Sequence, residues 1–138
     1  MLFIQLQFQL PEIYEELNLY CQVLPFNINS PAQPFSGIVI NICVSTTGHR
    51  DRSDKRICVV IPFGDWQGGE ICLYELGLII KLNPGDILIF PSCDITHFNL
   101  HFSGIRGSVV FHSDRQGDAW TEGFNGWKSY IMRGKFTT

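Results

Sequence analysis

The sequence has few charged residues and lacks any long uninterrupted apolar run. Only 17% of its 138 residues are charged, and the formal net charge is -3. This balance excludes a general attraction to nucleic acid, so such binding would need a local basic patch. The apolar N-terminus is interrupted by Gln5, Gln7 and Gln9 and lacks a basic leader, which argues against a signal peptide or a membrane span.

Paired cysteines are also absent. The five cysteines are scattered along the chain without a CxxC pair, which excludes a zinc ribbon or a disulfide framework. Three of them, Cys43, Cys58 and Cys72, lie in apolar stretches, where a free thiol packs as a small hydrophobe. We therefore expect a reducing, intracellular location.

The length indicates one domain, 1–138, with a single core. Within it we distinguish an N-terminal segment (1–34), a core (35–113) and a tail (114–138). Alternating apolar and Gln residues over 3–10 predict a short strand, or else the irregular edge of a truncated chain. Pro11 and the acidic residues after it predict the start of a short helix. The tail contains Trp120, Trp127 and Tyr130 and is expected to pack across one end of the core.

The core contains a succession of short, apolar, strand-like segments separated by turn-forming residues. Turns are expected at Gly64-Asp65, Gly68-Gly69, Asn83-Pro84-Gly85-Asp86 and Ser103-Gly104. With no helix between the segments, the pattern predicts an all-β core of antiparallel sheets, a jelly roll or similar barrel. The seven predicted strands are 36–44, 56–63, 70–75, 77–82, 86–90, 95–102 and 106–113.

Two histidines and an aspartate form a candidate metal site. His49 and Asp51 are two residues apart, so in an extended segment both side chains project to the same face. A jelly roll can bring the later strand that carries His97 beside them. Two histidines and one carboxylate are the ligand set of non-haem Fe(II) oxygenases, and they leave three coordination positions open.

A candidate anion site follows the last histidine. Arg106 and Ser108 would share one face of the final strand, where a guanidinium can bind a carboxylate through two hydrogen bonds. They would grip the far carboxylate of 2-oxoglutarate while its keto-acid end meets the metal. A cupin-type zinc or manganese protein is an alternative, but it gives these two residues no role.

Other polar residues are secondary candidates. Asn41, Asn99 and His101 could line the pocket, whereas His112 has a structural role on the simplest interpretation. A basic stretch beside the metal site, reinforced by the tail, could contact DNA, although a solvated loop explains it equally well. Its cations are Arg50, Arg52, Lys55 and Arg56, with Lys128, Arg133 and Lys135 in the tail.

Several segments together resemble the 2-oxoglutarate/Fe(II) dioxygenases, particularly their TET/JBP-like branch. They are His-Arg-Asp-Arg-Ser-Asp-Lys at 49–55, Gly-Gly-Glu at 68–70, Pro-Gly-Asp at 84–86 and Thr-His-Phe-Asn at 96–99. The resemblance extends from about residue 35 to 127. It implies a double-stranded β-helix fold, the iron ligands His49, Asp51 and His97, and a co-substrate clamp of Arg106 and Ser108.

The resemblance further implies Fe(2+), 2-oxoglutarate and dioxygen as reactants, with nuclear oxidation of 5-methylcytosine or thymine methyl groups in DNA. Characterised members carry a longer N-terminal support and DNA-binding loops, so this chain is expected to be a fragment, a minimal relative or an inactive remnant. The alternatives are a hydroxylase of a protein or small molecule, and a jelly-roll binding module without activity.

Overall fold

The computed structural model describes residues 2–24, 30–118 and 122. The chain divides into two compact units, one made of Met1–Ser36 with Asp114–Thr138 and the other of Gly37–Ser113. The prediction of a single domain over 1–138 stays a prediction. Several predicted surface and tail residues lie outside the described residues: Trp120, Trp127, Lys128, Tyr130, Arg133 and Lys135.

The described residues of the first unit include the helices α1 (Leu2–Gln9) and α2 (Pro11–Val23). The predicted strand over 3–10 is therefore wrong. Leu and Gln are good helix formers, and the helix buries the side chain of Leu6. The helix at Pro11 is confirmed, with the proline in its first turn.

The second unit contains seven strands in two antiparallel sheets. The fold prediction of a jelly-roll-like β core is confirmed by this arrangement. One sheet has the strand order β1-β7-β2-β5 and the other β4-β3-β6. The strands are β1 (Gly37–Ile42), β2 (Cys58–Gly68), β3 (Ile71–Leu73), β4 (Leu78–Ile80), β5 (Leu88–Phe90), β6 (His97–Asn99) and β7 (Phe102–His112).

The two longest strands, β2 and β7, continue through two sites where the sequence predicts turns. Gly64-Asp65 and Ser103-Gly104 lie inside the paired ladder, so both turn predictions are wrong. Gly64 and Gly104 have φ values of 114° and 103°, a region that glycine tolerates. A Cβ at Gly64 would lie 2.3 Å from the carbonyl oxygen of Ile105, so no larger residue fits this ladder unchanged.

Apolar side chains from both sheets form the core of the second unit. Its buried members are Cys58, Ile71, Leu73, Phe90 and Ile95. All five cysteines of the chain are free thiols, as expected from their spacing. Among the described residues, no helix has the length and apolar character needed to cross a membrane.

Candidate functional site

The two sheets of the second unit line a cavity of about 340 Å³. Side chains alternate along a strand, so every second residue of β7 from position 106 to 112 faces this cavity. We call His49, Asp51 and His97 the metal triad, and Arg106 with Ser108 the anion clamp. All five side chains line the cavity.

The metal triad converges on one point. Asp51 lies between the two imidazoles: its Oδ1 is 3.6 Å from Nε2 of His49, and its Oδ2 is 3.4 Å from Nε2 of His97. One potential ligand atom from each residue lies within 4.8 Å of the others. His97 is buried, whereas His49 and Asp51 are partly exposed. These three side chains could hold a metal ion on one face and leave its other positions open.

Backbone carbonyls fix the orientation of both imidazoles. Nδ1 of His49 lies 2.8 Å from the carbonyl oxygen of Thr47, and Nδ1 of His97 lies 2.9 Å from that of Ile95. Because a carbonyl oxygen only accepts hydrogen bonds, Nδ1 must carry the proton in each ring. The lone pair of Nε2 is then the one available to a metal, an arrangement typical of histidine ligands.

The charges of Asp51 and His97 stabilise each other. A hydrogen bond from His97 lowers the pKa of Asp51, so its carboxylate is ionised at neutral pH. Burial lowers the pKa of His97, but the hydrogen bonds to Asp51 and Ile95 outweigh it and raise the pKa overall. The hydrogen bond to Asp51 places a proton on Nε2 of His97, facing the carboxylate. A divalent cation bound by both residues would replace that proton.

His49 and Asp51 lie in a segment between β1 and β2 that belongs to neither sheet. Two backbone hydrogen bonds connect His49 to His97, with N–O distances of 3.2 and 2.9 Å. The amide of Asp51 donates to the carbonyl oxygen of Ser92 at 3.0 Å. The antiparallel bridge places residue 49 beside residue 97, and the bond to Ser92 holds residue 51 where its carboxylate approaches both imidazoles.

The guanidinium of the anion clamp is buried. Arg106 is 7% exposed, and its Nε has no hydrogen-bond partner. Among residues 2–24, 30–118 and 122, no carboxylate forms an ion pair with it. Its guanidinium carbon lies 5.5 Å from the ring centroid of Trp66, close enough for a cation–π interaction. Burial lowers the pKa of Arg106.

An unpaired buried cation is costly, so this arrangement favours an anion that enters the cavity. Ser108 is buried two residues further along β7, on the same face. The backbone of Gly69 packs closely against the side chain of Arg106, since a Cβ at residue 69 would lie 3.4 Å from Cδ of Arg106. The clamp therefore offers a buried positive charge and a hydroxyl donor to a carboxylate group.

Two cavity residues were missed as functional candidates. Asp54 is 8% exposed, and its Oδ2 accepts a hydrogen bond of 2.5 Å from the hydroxyl of Ser92. Its Oδ1 lies 3.4 Å from Nδ1 of His112. Strand alternation could have indicated that His112 faces the cavity, because it places this residue on the same face as Arg106. Nothing in the sequence distinguishes Asp54 from its charged neighbours.

Only some of the secondary candidates line the cavity. Asn41 and Asn99 line the cavity, whereas His101 is exposed and does not. Arg50 belongs to the predicted basic patch, but its guanidinium pairs with Glu75. Cys58 lines the cavity, and burial raises the pKa of its thiol to about 12, so it is protonated at neutral pH.

Comparison with solved structures identifies the fold. NgTET1, solved in complex with 5mC DNA, matches with a TM-score of 0.65 and 17% sequence identity, over 80% of this chain and 48% of that chain. A 2OG-Fe(II) oxygenase family oxidoreductase from Burkholderia pseudomallei matches with a TM-score of 0.46 and 21% identity, over 64% of this chain and 48% of that chain. No protein-family model and no curated protein matches the chain.

The protein thus shares the fold of NgTET1, in agreement with the resemblance found in its sequence. The chain spans about half the length of each of these two proteins. A likeness at this identity defines the fold, and the chemistry must be argued from the side chains of the cavity.

Proposed function

We propose that the protein is an Fe(II)- and 2-oxoglutarate-dependent dioxygenase. The observation that carries this proposal is the presence of the metal triad and the anion clamp in one cavity. The two imidazoles and the carboxylate match the preferences of ferrous iron, and the unpaired guanidinium matches a dicarboxylate. A zinc or manganese site of the cupin type leaves the buried Arg106 unexplained.

Each part of the site has a distinct task. His49, Asp51 and His97 would hold the iron, with the Nδ1 hydrogen bonds keeping both rings in place. Arg106 and Ser108 would bind the far carboxylate of 2-oxoglutarate. When bound, iron and 2-oxoglutarate supply the oxidising chemistry, in which dioxygen converts 2-oxoglutarate to succinate and CO₂ and one oxygen atom enters a substrate C–H bond.

Metal and co-substrate binding can be tested without knowing the substrate. Protein purified without oxygen should bind one Fe(II), and N-oxalylglycine, an inert mimic of 2-oxoglutarate, should bind only when the metal is present. Slow conversion of 2-oxoglutarate to succinate in the absence of substrate should accompany binding. Iron and N-oxalylglycine binding without any succinate formation would identify an inactive binding module instead.

We further propose that the substrate is a 5-methylcytosine or thymine base in DNA. A base must leave the duplex to enter such a cavity, where polar groups can recognise its edge. Asp54 and His112 offer this recognition, because a carboxylate can accept from the amino group of cytosine. DNA as the substrate is supported by the similarity of the fold to NgTET1, which was solved in complex with 5mC DNA.

A basic surface beside the cavity would support DNA binding. Arg52, Lys55 and Arg56 lie within the five residues after Asp51, and Arg52 is exposed. Their charge can neutralise phosphates, and such binding should weaken as salt increases. A nuclear location stays a prediction that accompanies this substrate.

The substrate proposal is tested with matched DNA duplexes that differ only in methylation, together with unmodified peptides. Methylated DNA should stimulate succinate formation and yield an oxidised methyl group. Replacement of His112 with Gln should reduce base oxidation while substrate-independent succinate formation persists. Stimulation by peptides alone would favour the protein hydroxylase, and equal base oxidation by the His112→Gln variant would remove the recognition role.

A further inference from the structure

A cluster of three polar side chains lies next to the metal triad but does not line the cavity. The carboxylate of Glu75 accepts hydrogen bonds from the amide of Thr96 and from its hydroxyl, both at 2.7 Å. The same carboxylate pairs with the guanidinium of Arg50. Nε of Arg50 also donates to the hydroxyl of Thr96 at 3.1 Å, which closes the ring of contacts. We call these three residues the Glu75 cluster.

The Glu75 cluster connects three separate segments of the chain. Arg50 stands between His49 and Asp51, and Thr96 directly precedes His97. Glu75 lies in the 3₁₀ turn Tyr74–Leu76, which follows β3. Each segment that carries metal ligands is therefore tied to the same carboxylate by the residue next to a ligand.

The segment with His49 and Asp51 needs such a tie because it belongs to neither sheet. Its backbone bonds to His97 and Ser92 fix the chain at two points. The residue between these points is Arg50, and its side chain is held by the Glu75 cluster. Ligands must be held within about half an ångström of their productive geometry, so a small movement at residue 50 would reach both neighbours.

We propose that Glu75 is a positioning residue that, through Arg50 and Thr96, sets the spacing between the two parts of the metal triad. This inference rests on the metal site of the proposed function. It differs from the sequence-based hypothesis that Arg50 belongs to a DNA-binding patch, since here the guanidinium acts within the protein.

Simple stabilisation is the competing explanation, and the exposure of the cluster argues against it. Side chains of Arg50 and Glu75 are 41% and 35% exposed, and ion pairs this exposed contribute little to the folding free energy. Their hydrogen bonds nevertheless fix direction, because one carboxylate receives donors from two segments. The cluster should therefore affect metal geometry more than stability.

The experiment measures Co(II) binding to the full chain in the presence of N-oxalylglycine, because Co(II) absorption reports both affinity and coordination geometry. The variants are Glu75→Ala, Arg50→Ala and Thr96→Val. Controls are Glu70→Ala and Lys81→Ala, which remove a carboxylate and a cation outside the cluster. The melting temperature of each metal-free variant is measured in parallel.

We expect the three cluster variants to bind Co(II) about tenfold more weakly with an altered absorption spectrum, since supporting residues have effects of this size. The two controls should match wild type. Metal-free melting temperatures should change by no more than about 2 °C. The double variant Arg50→Ala/Glu75→Ala should lose no more affinity than the more affected single variant, because both act through one contact.

Wild-type Co(II) affinity and spectrum in the cluster variants would overturn the inference, and so would a lowered melting temperature without any change in Co(II) binding. If an alanine variant does not fold, Glu75→Gln serves instead, because its amide oxygen can still accept from Thr96 while the charge is lost. Asp51→Ala separates the two proposals. If it binds Co(II) like wild type, the metal site and this inference both fail; if it loses Co(II) while the cluster variants do not, only the inference fails.

Discussion

The two sides of the cavity are built in different ways. The anion clamp lies on β7, a strand of eleven residues that is paired on both sides, by β1 and by β2. His49 and Asp51 lie opposite, in a segment that is held by one isolated bridge to β6 and by a few individual hydrogen bonds. One side is thus fixed by a regular ladder, and the other by separate contacts.

This difference determines how each side responds to mutation. A change in a β7 side chain leaves the ladder in place, because the backbone carries the hydrogen bonds. A substitution on β7 should therefore remove only the interactions of the replaced side chain and leave the metal triad in place. A change in the segment 43–57 can also move its neighbours, because side chains there hold the backbone in position.

The largest effect is expected at the centre of the metal triad. Asp51→Ala removes the carboxylate between the two imidazoles and should abolish both Fe(II) binding and succinate formation. The measurement is metal content after anaerobic loading, followed by a succinate assay. Asp65→Ala is the matched control, since that aspartate is exposed on β2. Succinate formation at the wild-type rate would show that Asp51 is not a ligand.

Arg106→Ala should act on the co-substrate and leave the iron in place. Loss of a charge-assisted contact should raise the KM for 2-oxoglutarate by about 10- to 100-fold. Fe(II) affinity should be unchanged, because the ladder keeps β7 in position. The measurement is succinate formation against 2-oxoglutarate concentration, with Arg52→Ala as the control. An unchanged KM would mean that the guanidinium binds something else.

Ser108→Ala tests the same side of the cavity with a smaller change. Removal of one neutral hydroxyl donor should raise the KM for 2-oxoglutarate by about 3- to 10-fold. Ser103→Ala is the control on the same strand, where the side chain is exposed. A loss of iron in the Ser108 variant would contradict the independence of the two sides of the cavity, because a change on β7 would then disturb the metal triad.

The strand-borne side of the cavity is the part that the sequence predicts best. Alternation along 106–113 places Arg106 and Ser108 on one face, and the structure has them there. The same rule also applies to His112, although its isolated position at a strand end favoured a structural role. Alternation fails at the N-terminus, because Leu2, Leu6 and Leu10 are also spaced four residues apart, as on one face of a helix, and Leu6 is the residue that this helix buries.

The loop-borne side depends on contacts that the sequence does not reveal. The spacing of His49 and Asp51 indicates a shared face, but the position of that face depends on the bridge to His97. Glu75 lies 21 residues from Thr96 and 25 from Arg50, in a short turn without a recognisable motif. Gly64 and Gly104 look like turns because glycine permits positive φ in strands as well as in loops.

The smallest effect is expected from the pH dependence of the Glu75 cluster. Hydrogen bonds from Thr96, followed by that from Arg50, lower the pKa of Glu75 from 4.5 to about 2. A lowered folded-state pKa stabilises the fold above the unfolded value of 4.5, and this contribution is lost as pH falls toward about 2. The melting temperature of metal-free wild type should therefore exceed that of Glu75→Gln slightly at about pH 6, and the difference should shrink by about pH 3. A difference that grows on acidification would show that the carboxylate of Glu75 is not stabilised in its ionised form.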